Sequence, residues 1–536
     1  MMDNILKPGR YIDNEWNAIH KEWKEGMLKI ALCFPDIYEI GMSHLGMKIL
    51  YGLLNQEDDI VCERVFAPWG DMEDLIRKGK ASLCSLESKR DLKEFDIIGF
   101  SLQYEMNFTD VLNMLDLAGI PIFSSQRDDD MPLIIAGGPC AFNPEPMVDF
   151  IDAFVIGEAE EAILEITSLI KDLKSKSKTL RENLLKALGE IEGLYVPGIT
   201  ESNRIKKRII KNLDNSYFPK APIVPYIQII HDRIGLEVMR GCPNRCRFCQ
   251  ACKVFYPLRI RSVENIIQLA LESIRNTGYE EISLLSLSTG DYPYLEELIC
   301  KLEKVFKGTG VKVSLPSIRI ESFDGDAGFK VLKKTGLTFA PEAGTERLRR
   351  VLNKNISDDD IIKKSRTALE NGWKKIKLYF MIGLPEETYE DLDGIIKLAS
   401  EIQYVNLSIS PFIPKPHSGF EREGMDSIDV LKDKIQYLIS GFRSKTHKSN
   451  HIKIDFHNPE MSMVEAILSR GDKRIGRVIY MAFKRGARLQ AWDDYFDYRI
   501  WMESLRDCEI LTDEYLRKTN IAEPLPWDFI DSKGLF

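Results

Sequence analysis

The sequence contains no apolar run of about 18 residues, so no helical membrane span is expected. No signal-like stretch opens it. Its ten cysteines are scattered except for one dense group, which excludes the disulfide framework of a small secreted domain. A chain of the reduced cytoplasm is the expectation. Excess positive charge is also missing, since 73 Lys and Arg stand against 82 Asp and Glu for a net charge of −9. That balance argues against a non-specific nucleic-acid binder. Two basic stretches, 201–213 and 470–474, read as solvated faces rather than polyanion sites. At 536 residues, 44% hydrophobic and 29% charged, the chain has the make-up of a soluble globular protein with two or three domains.

What stands out is residues 239–252, MRGCPNRCRFCQAC. Cys242, Cys246 and Cys249 form a CxxxCxxC, with Phe248 just before the last cysteine. Three thiolates packed this closely suit a soft-metal or iron–sulfur site. Zinc wants a fourth ligand, and no matching distal Cys/His pair follows. Three ligands leave one iron of a four-iron cluster open to a small chelating molecule. Cys252 is an alternative ligand, a substrate-facing thiol or a buried cysteine.

The stretch resembles the cluster loop of radical S-adenosylmethionine (SAM) enzymes. From GRYIDNEWN (9–17) to WMES (501–504) the chain resembles a subfamily with a cobalamin-binding-like domain ahead of the barrel. The resemblance implies that Cys242, Cys246 and Cys249 hold three irons of a 4Fe-4S cluster while SAM chelates the fourth. One electron from a low-potential donor, such as flavodoxin or ferredoxin, then cleaves SAM to a 5′-deoxyadenosyl radical that acts on an unidentified substrate. Arg240 and Arg245 bring positive charge near the cluster. No CxxC pair remains for a second cluster, which counts against sulfur insertion.

Along the N-terminal region, apolar runs at 28–34, 95–102, 132–139 and 150–158 alternate with helix-like segments at 46–54 and 111–119. The alternation predicts a doubly wound, Rossmann-like sheet, with ligands beyond the carboxyl ends of its strands. Asp36, Gly41, Ser101, Gly137, Gly138, Gly157 and Glu158 fall at such ends. The cobalamin-binding domain carries DxHxxG after its first strand, the histidine ligating cobalt from below. Here the match is Asp36-Ile-Tyr38-Glu-Ile-Gly41, with tyrosine at the ligand position. Two readings stay open: cobalamin binds without that ligand, or the domain has lost cobalamin and serves recognition. His44 and Cys140 read as packing residues.

From residue 235 on, six strand–helix repeats predict a partial βα barrel with its site at the carboxyl ends of the strands. The resemblance places Ser288, Gly290 and Asp291 of LSTGD (287–291) near the SAM amino group. It makes Glu342 and Arg349 of FAPEAGTERLR (339–349) candidates for the ribose or carboxylate. Gly383 of MIGLPEET (381–388) lets the backbone approach adenine or ribose. Arg319 and Glu321 are candidates to line the substrate cavity, and Arg259 and Arg261 to bind an anionic group or an acidic donor. SPFIPKPHSGF (410–420) closes one edge, with His417 read as structural ahead of catalytic. Trp492, Tyr495, Phe496 and Tyr498 read as core, or as a lid over the barrel.

The expected divisions are an arm and cobalamin-binding-like domain (1–160), a helical connection (161–230), the barrel (231–425) and a mainly helical region (426–536). The leading reading is a radical SAM enzyme, with cobalamin-dependent methyl transfer as its first specific version. A cobalamin-free oxidoreductase and a noncatalytic iron–sulfur sensor or assembly protein are the rivals.

Overall fold

The computed structural model describes residues 5–176, 180–200, 204–316, 319–320, 331–402, 404–445 and 452–532. Glu321, the end of the KSKSKT stretch and residues 201–203 lie outside them.

The N-terminal region is a six-stranded sheet made of β1 (Leu28–Phe34), β2 (Ile60–Phe66), β3 (Ile97–Ser101), β4 (Leu133–Gly137), β5 (Ala153–Val155) and β6 (Leu194–Tyr195). The order is β2-β1-β3-β4-β5-β6, parallel except for β6. Nearly every residue of β1 is buried, as a central parallel strand covered on both faces requires. One face packs against the helices Leu45–Gln56 and Ala159–Lys176. The other belongs to a core that continues through the barrel into the C-terminal helices.

Strand β2 is absent from the sequence reading because Glu63 and Arg64 interrupt its apolar pattern. Both are buried with partners. Arg64 pairs with Glu15 at 2.7 Å and Glu87 at 2.6 Å, and Glu63 takes the Ser88 hydroxyl at 2.6 Å. Paired charge replaces apolar contact at this edge, at a desolvation cost that the pairing offsets.

After a short β7 (Ile205–Lys206) come the barrel strands β8 (Ile234–Glu237), β9 (Met239–Arg240), β10 (Arg259–Ile260), β11 (Glu281–Leu285), β12 (Lys312–Ser314), β13 (Leu337–Glu342), β14 (Ile376–Ile382), β15 (Val405–Pro411) and β16 (Ile452–Phe456). They form two parallel sheets, β12-β11-β8 and β13-β14-β15-β16, with β9 and β10 as a separate antiparallel pair. Six of these match the predicted repeats. The seventh, β16, comes from the strand-like 451–459 stretch and pairs in parallel with β15. A last strand, β17 (Ile530–Asp531), returns to pair with β7.

The C-terminal helices Pro459–Arg470 and Arg474–Lys484 pack against the N-terminal region. The aromatic cluster does the same. Trp492 and Tyr495 meet Trp69 edge-on at 5.5 and 4.8 Å. Lys415 fastens the regions together, with its ammonium 2.8 Å from both Glu105 of the N-terminal sheet side and Glu465 of a C-terminal helix. His417 is structural, with one ring nitrogen 2.8 Å from the Phe142 carbonyl and the other 2.7 Å from the Ser532 hydroxyl.

Lys415→Met leaves two buried carboxylates without a counter-charge. It is expected to cost about 3–5 kcal/mol in urea denaturation, and a loss below about 1 kcal/mol would show that the triad does not hold the regions together.

Candidate functional site

The cysteine loop is closed at its base by the pairing of β9 with β10, which sets Arg240 opposite Arg259. Gly241 has φ +88°, and a Cβ there would meet the Pro257 and Phe255 carbonyls at 2.7 and 2.8 Å. Only glycine lets the chain cross its own base at this point. The far side is tied to the segment after helix Glu346–Val351: Arg247 N–H donates to Leu352 O at 3.0 Å, and Asn353 donates to Arg245 O at 2.8 Å.

The three thiols share one electrostatic environment. Burial raises Cys242 and Cys246, while Arg319 pulls both down and Lys354 also pulls down Cys246. Cys249 is lowered to about 6, first by the Cys252 thiol and then by the N–H groups of Cys252 and Ala251, against the opposing effect of burial. Cys252 is raised, first by its hydrogen bond with the Cys249 thiol and then by burial, and its thiol also donates to the Cys249 carbonyl at 3.0 Å. Three thiols backed by two cations and by N–H donors suit a thiolate-held centre with one iron for each sulfur. Among the described residues, no three His, Cys, Asp or Glu side chains converge on a point for one ion.

Other predicted residues gather here. Asn244 donates to Asp291 at 2.7 Å and lies 3.6 Å from the Cys242 sulfur, while the Ser288 hydroxyl donates to Asp291 at 2.7 Å. The turn carrying Ser288, Gly290 and Asp291 is thereby fastened to the cysteine loop. Glu342 ends β13 at φ +69° beside a bulge, takes the Lys354 ammonium at 2.9 Å and acts electrostatically on Cys249. Phe248 packs with Leu352, Leu384 and Phe412, near Lys354. Gly383, at φ +77°, donates its N–H to Glu387 at 2.8 Å beyond the end of β14. Lys354 and Asn244 escaped the sequence reading, because neither belongs to a motif. Asn244 lay between two of the cysteines.

Several expected contacts are spent elsewhere. Arg349 is fully buried and donates to Ile356 O, Ala343 O and Asp358, holding the end of β13 rather than facing the cavity. Arg259 serves Glu158 at 2.7 Å together with three backbone carbonyls, and Arg261 is buried against Leu213 O and Glu237 O. Arg240 is drawn to Glu160 at 2.8 Å, Glu237 at 2.9 Å and Glu158 at 3.3 Å, so its charge faces the N-terminal region.

That network closes one wall of a cleft of about 400 Å³ between the two regions. Ser101, Gly137 and Gly138 line it from the sheet's carboxyl edge, and Met239, Arg240 and Gly241 from the cysteine loop. It also runs along the sheet, past Gly99 and Val155, to Leu50 and Ile163 of the covering helices. Asp36, Tyr38 and Gly41 are not brought to it. Asp36 receives Trp492 Nε1 at 2.9 Å and Tyr38 donates to Glu15 at 2.7 Å, while a Cβ on Gly41 would strike Phe66. His44, read as a packing residue, does line the cleft. Its Nδ1 caps helix Leu45–Gln56 by accepting from Met47 N–H at 3.3 Å.

A parallel barrel with a thiol loop at its carboxyl rim and a doubly wound sheet set against that loop define the class of the protein. Residues 46–197 match the N-terminal family of radical SAM proteins, and residues 236–399 match the radical SAM superfamily. Uncharacterized protein MJ0966 of Methanocaldococcus jannaschii is 30% identical over 84% of this chain and 90% of its own length. Among solved structures, the radical SAM methyltransferase TsrM from Kitasatospora setae, with cobalamin and a [4Fe-4S] cluster bound, aligns with a TM-score of 0.55. It is 11% identical over 90% of this chain and 99% of that one. The cobalamin-dependent radical enzyme OxsB aligns with a TM-score of 0.51 at 16% identity. The match covers 78% of this chain and 56% of OxsB.

The chain belongs to the radical SAM superfamily. It is a radical SAM enzyme, with a 4Fe-4S cluster and SAM as cofactors. None of its described helices is long and apolar enough to cross a membrane.

Burial pushes the His44 imidazole down to about 4, and Lys48 adds to that while Gln103 opposes it. The unfolded chain then takes up the proton first, near the ordinary value of about 6.5. Stability from this group is complete above about pH 6.5 and falls as pH drops toward about 4. His44→Asn keeps a capping oxygen and is expected to flatten that limb in urea titrations between about pH 7 and about pH 5. An unchanged limb would assign the pH dependence to other groups.

Proposed function

We propose that Cys242, Cys246 and Cys249 ligate the cluster, and that the neighbouring cleft seats cobalamin for methyl transfer to a carbon of an unidentified substrate. The supporting observation is that one cleft is walled on one side by Ser101, Gly137 and Gly138 and on the other by Gly241, next to Cys242. When bound, the cluster and SAM would supply one-electron chemistry and a methyl source, and cobalamin would supply a methyl carrier through its cobalt.

Residues of the chain hold and orient these groups. Arg319 and Lys354 offset thiolate charge. Asn244 and Asp291 keep the Ser288–Gly290 turn against the cysteine loop, where it would meet the SAM amino group. Glu342 would contact the ribose or carboxylate, with Arg349 fixing the strand end from behind, and Gly383 would let the backbone approach adenine or ribose. Gly99 leaves open space along the sheet in the cleft, which the ring and tail of the cofactor would use. Tyr38 stays bound to Glu15 in the core, so no lower ligand for cobalt comes from that position. The reductant is a low-potential donor of the flavodoxin or ferredoxin kind.

Anaerobic reconstitution with and without cobalamin, followed by mass spectrometry of products, tests the reading. Cys246→Ala is expected to lose both cluster absorbance and 5′-deoxyadenosine formation, and continued SAM cleavage would refute the ligand assignment. In Gly99→Val, the new Cβ makes only ordinary contacts at 3.5 Å and beyond. That variant is expected to keep the cluster while losing most of its corrinoid absorbance. Undiminished corrinoid uptake would move cobalamin out of this cleft.

A further inference from the structure

A second cavity, of about 240 Å³, lies beside the cleft. The two meet at Leu45 and Leu285, which line both. Its walls come from four places: the start of helix Leu45–Gln56, the proline-rich connection at Phe218–Pro222, residues 231–235 leading into β8, and the barrel around Ser273 and Ser283. No acidic side chain lines it, whereas Lys48, His231 and Arg233 do.

Its polar groups are underused. The Ser273 and Ser283 hydroxyls are wholly buried and have no hydrogen-bond partner, and neither does Arg233 Nε. Two orphaned hydroxyls and an orphaned guanidinium nitrogen at one cavity are costly in a folded chain unless a ligand or water completes them. Lys48 makes no ion pair among the described residues, and burial lowers its ammonium to about 8. The carboxylates nearby are engaged. Asp232 accepts from the Tyr279 hydroxyl at 2.8 Å, and Glu281 is shared between Arg233, at 3.6 Å, and Lys333. Half-buried Lys48 is attracted to Asp232, which is itself bonded to Tyr279, so an anion in the cavity would complete its pairing.

We propose that this cavity binds a small organic anion, with its oxyanion group held by Lys48, Arg233 Nε and the Ser273 and Ser283 hydroxyls. Its carbon skeleton lies against Phe218, Pro219, Pro222 and Leu45. Phosphate and carboxylate share the chemistry these donors recognise. Helix Leu45–Gln56 carries Lys48 into this cavity and Met47 and Leu50 into the cleft, so an occupant here bears on the cofactor side through one rigid element. The proposal does not rest on what fills the cleft.

Thermal unfolding of the full chain, titrated with inorganic phosphate or with succinate at constant ionic strength, tests it. A saturable rise in Tm is expected with at least one of them, and the stronger of the two names the group. Lys48→Met is expected to weaken the apparent affinity at least tenfold. Ser283→Ala removes an unpartnered hydroxyl, so its Tm without ligand is expected to be unchanged or higher while the ligand-induced rise shrinks. Absence of a saturable rise with both anions overturns the proposal. So does a full response in Lys48→Met or, if that variant does not fold, in Ser283→Ala. Repeating the titration on Gly99→Val, which alters the cleft and not this cavity, separates the two: an unchanged response supports the cavity, and a lost response belongs to the cleft and overturns the proposal.

Discussion

Arg240 sits where the two halves of the molecule meet, with its guanidinium among Glu158, Glu160 and Glu237 and with Arg259 sharing Glu158. These carboxylates hold its proton well above the ordinary arginine range, against the effect of burial. Two arginines and three carboxylates taken out of water are affordable only as a completed set. The set is completed only when the stem of the cysteine loop stands directly against the end of the N-terminal sheet. The cleft exists because that contact is made at one side and left open beyond Gly241. Arginine suits the position, since its planar fork reaches several carboxylates at once.

The remaining constraints act in the same direction. Lys415 joins the barrel edge to Glu105 and Glu465, and Tyr104 adds a hydrogen bond to Glu465 at 2.8 Å. The N-terminal arm contributes Glu15, which binds both Arg64 and Tyr38. Each contact spans regions far apart in sequence and satisfies a charge or hydroxyl that has no local partner. Together they make the sheet, the barrel and the C-terminal helices one packed body, so the cleft and the second cavity have defined walls.

The parts of the site that could be read from the sequence are those whose chemistry is local. Three cysteines within eight residues announce a thiolate centre wherever they fold, and the alternation of apolar strands with amphipathic helices announces parallel sheets. Asp291 and Glu342 were named from the resemblance of their segments, and the structure sets Asp291 beside the cysteine loop through Asn244 and Glu342 beside Lys354. Arg349 and Arg259 show one shared difficulty: a charged residue beside a strand end looks the same in sequence whether it faces a ligand or, as here, buried carbonyls and a carboxylate. Tyr38 stands at a ligand position by the resemblance of its motif, but Glu15 and the surrounding core claim its hydroxyl. Lys354 and Lys48 carried no signal, because what matters about each is which side chains surround it.

Order along the chain was enough to determine the fold class, the thiol triad and the sequence of barrel repeats. All of these depend on spacing within a few residues or on a period that each segment repeats for itself. The direction each charge faces, the existence of the cleft and the grouping of unpaired donors around Lys48 were decided only when distant segments packed. Burial strips water from every polar group at once, and which partner replaces that water depends on neighbours hundreds of positions away.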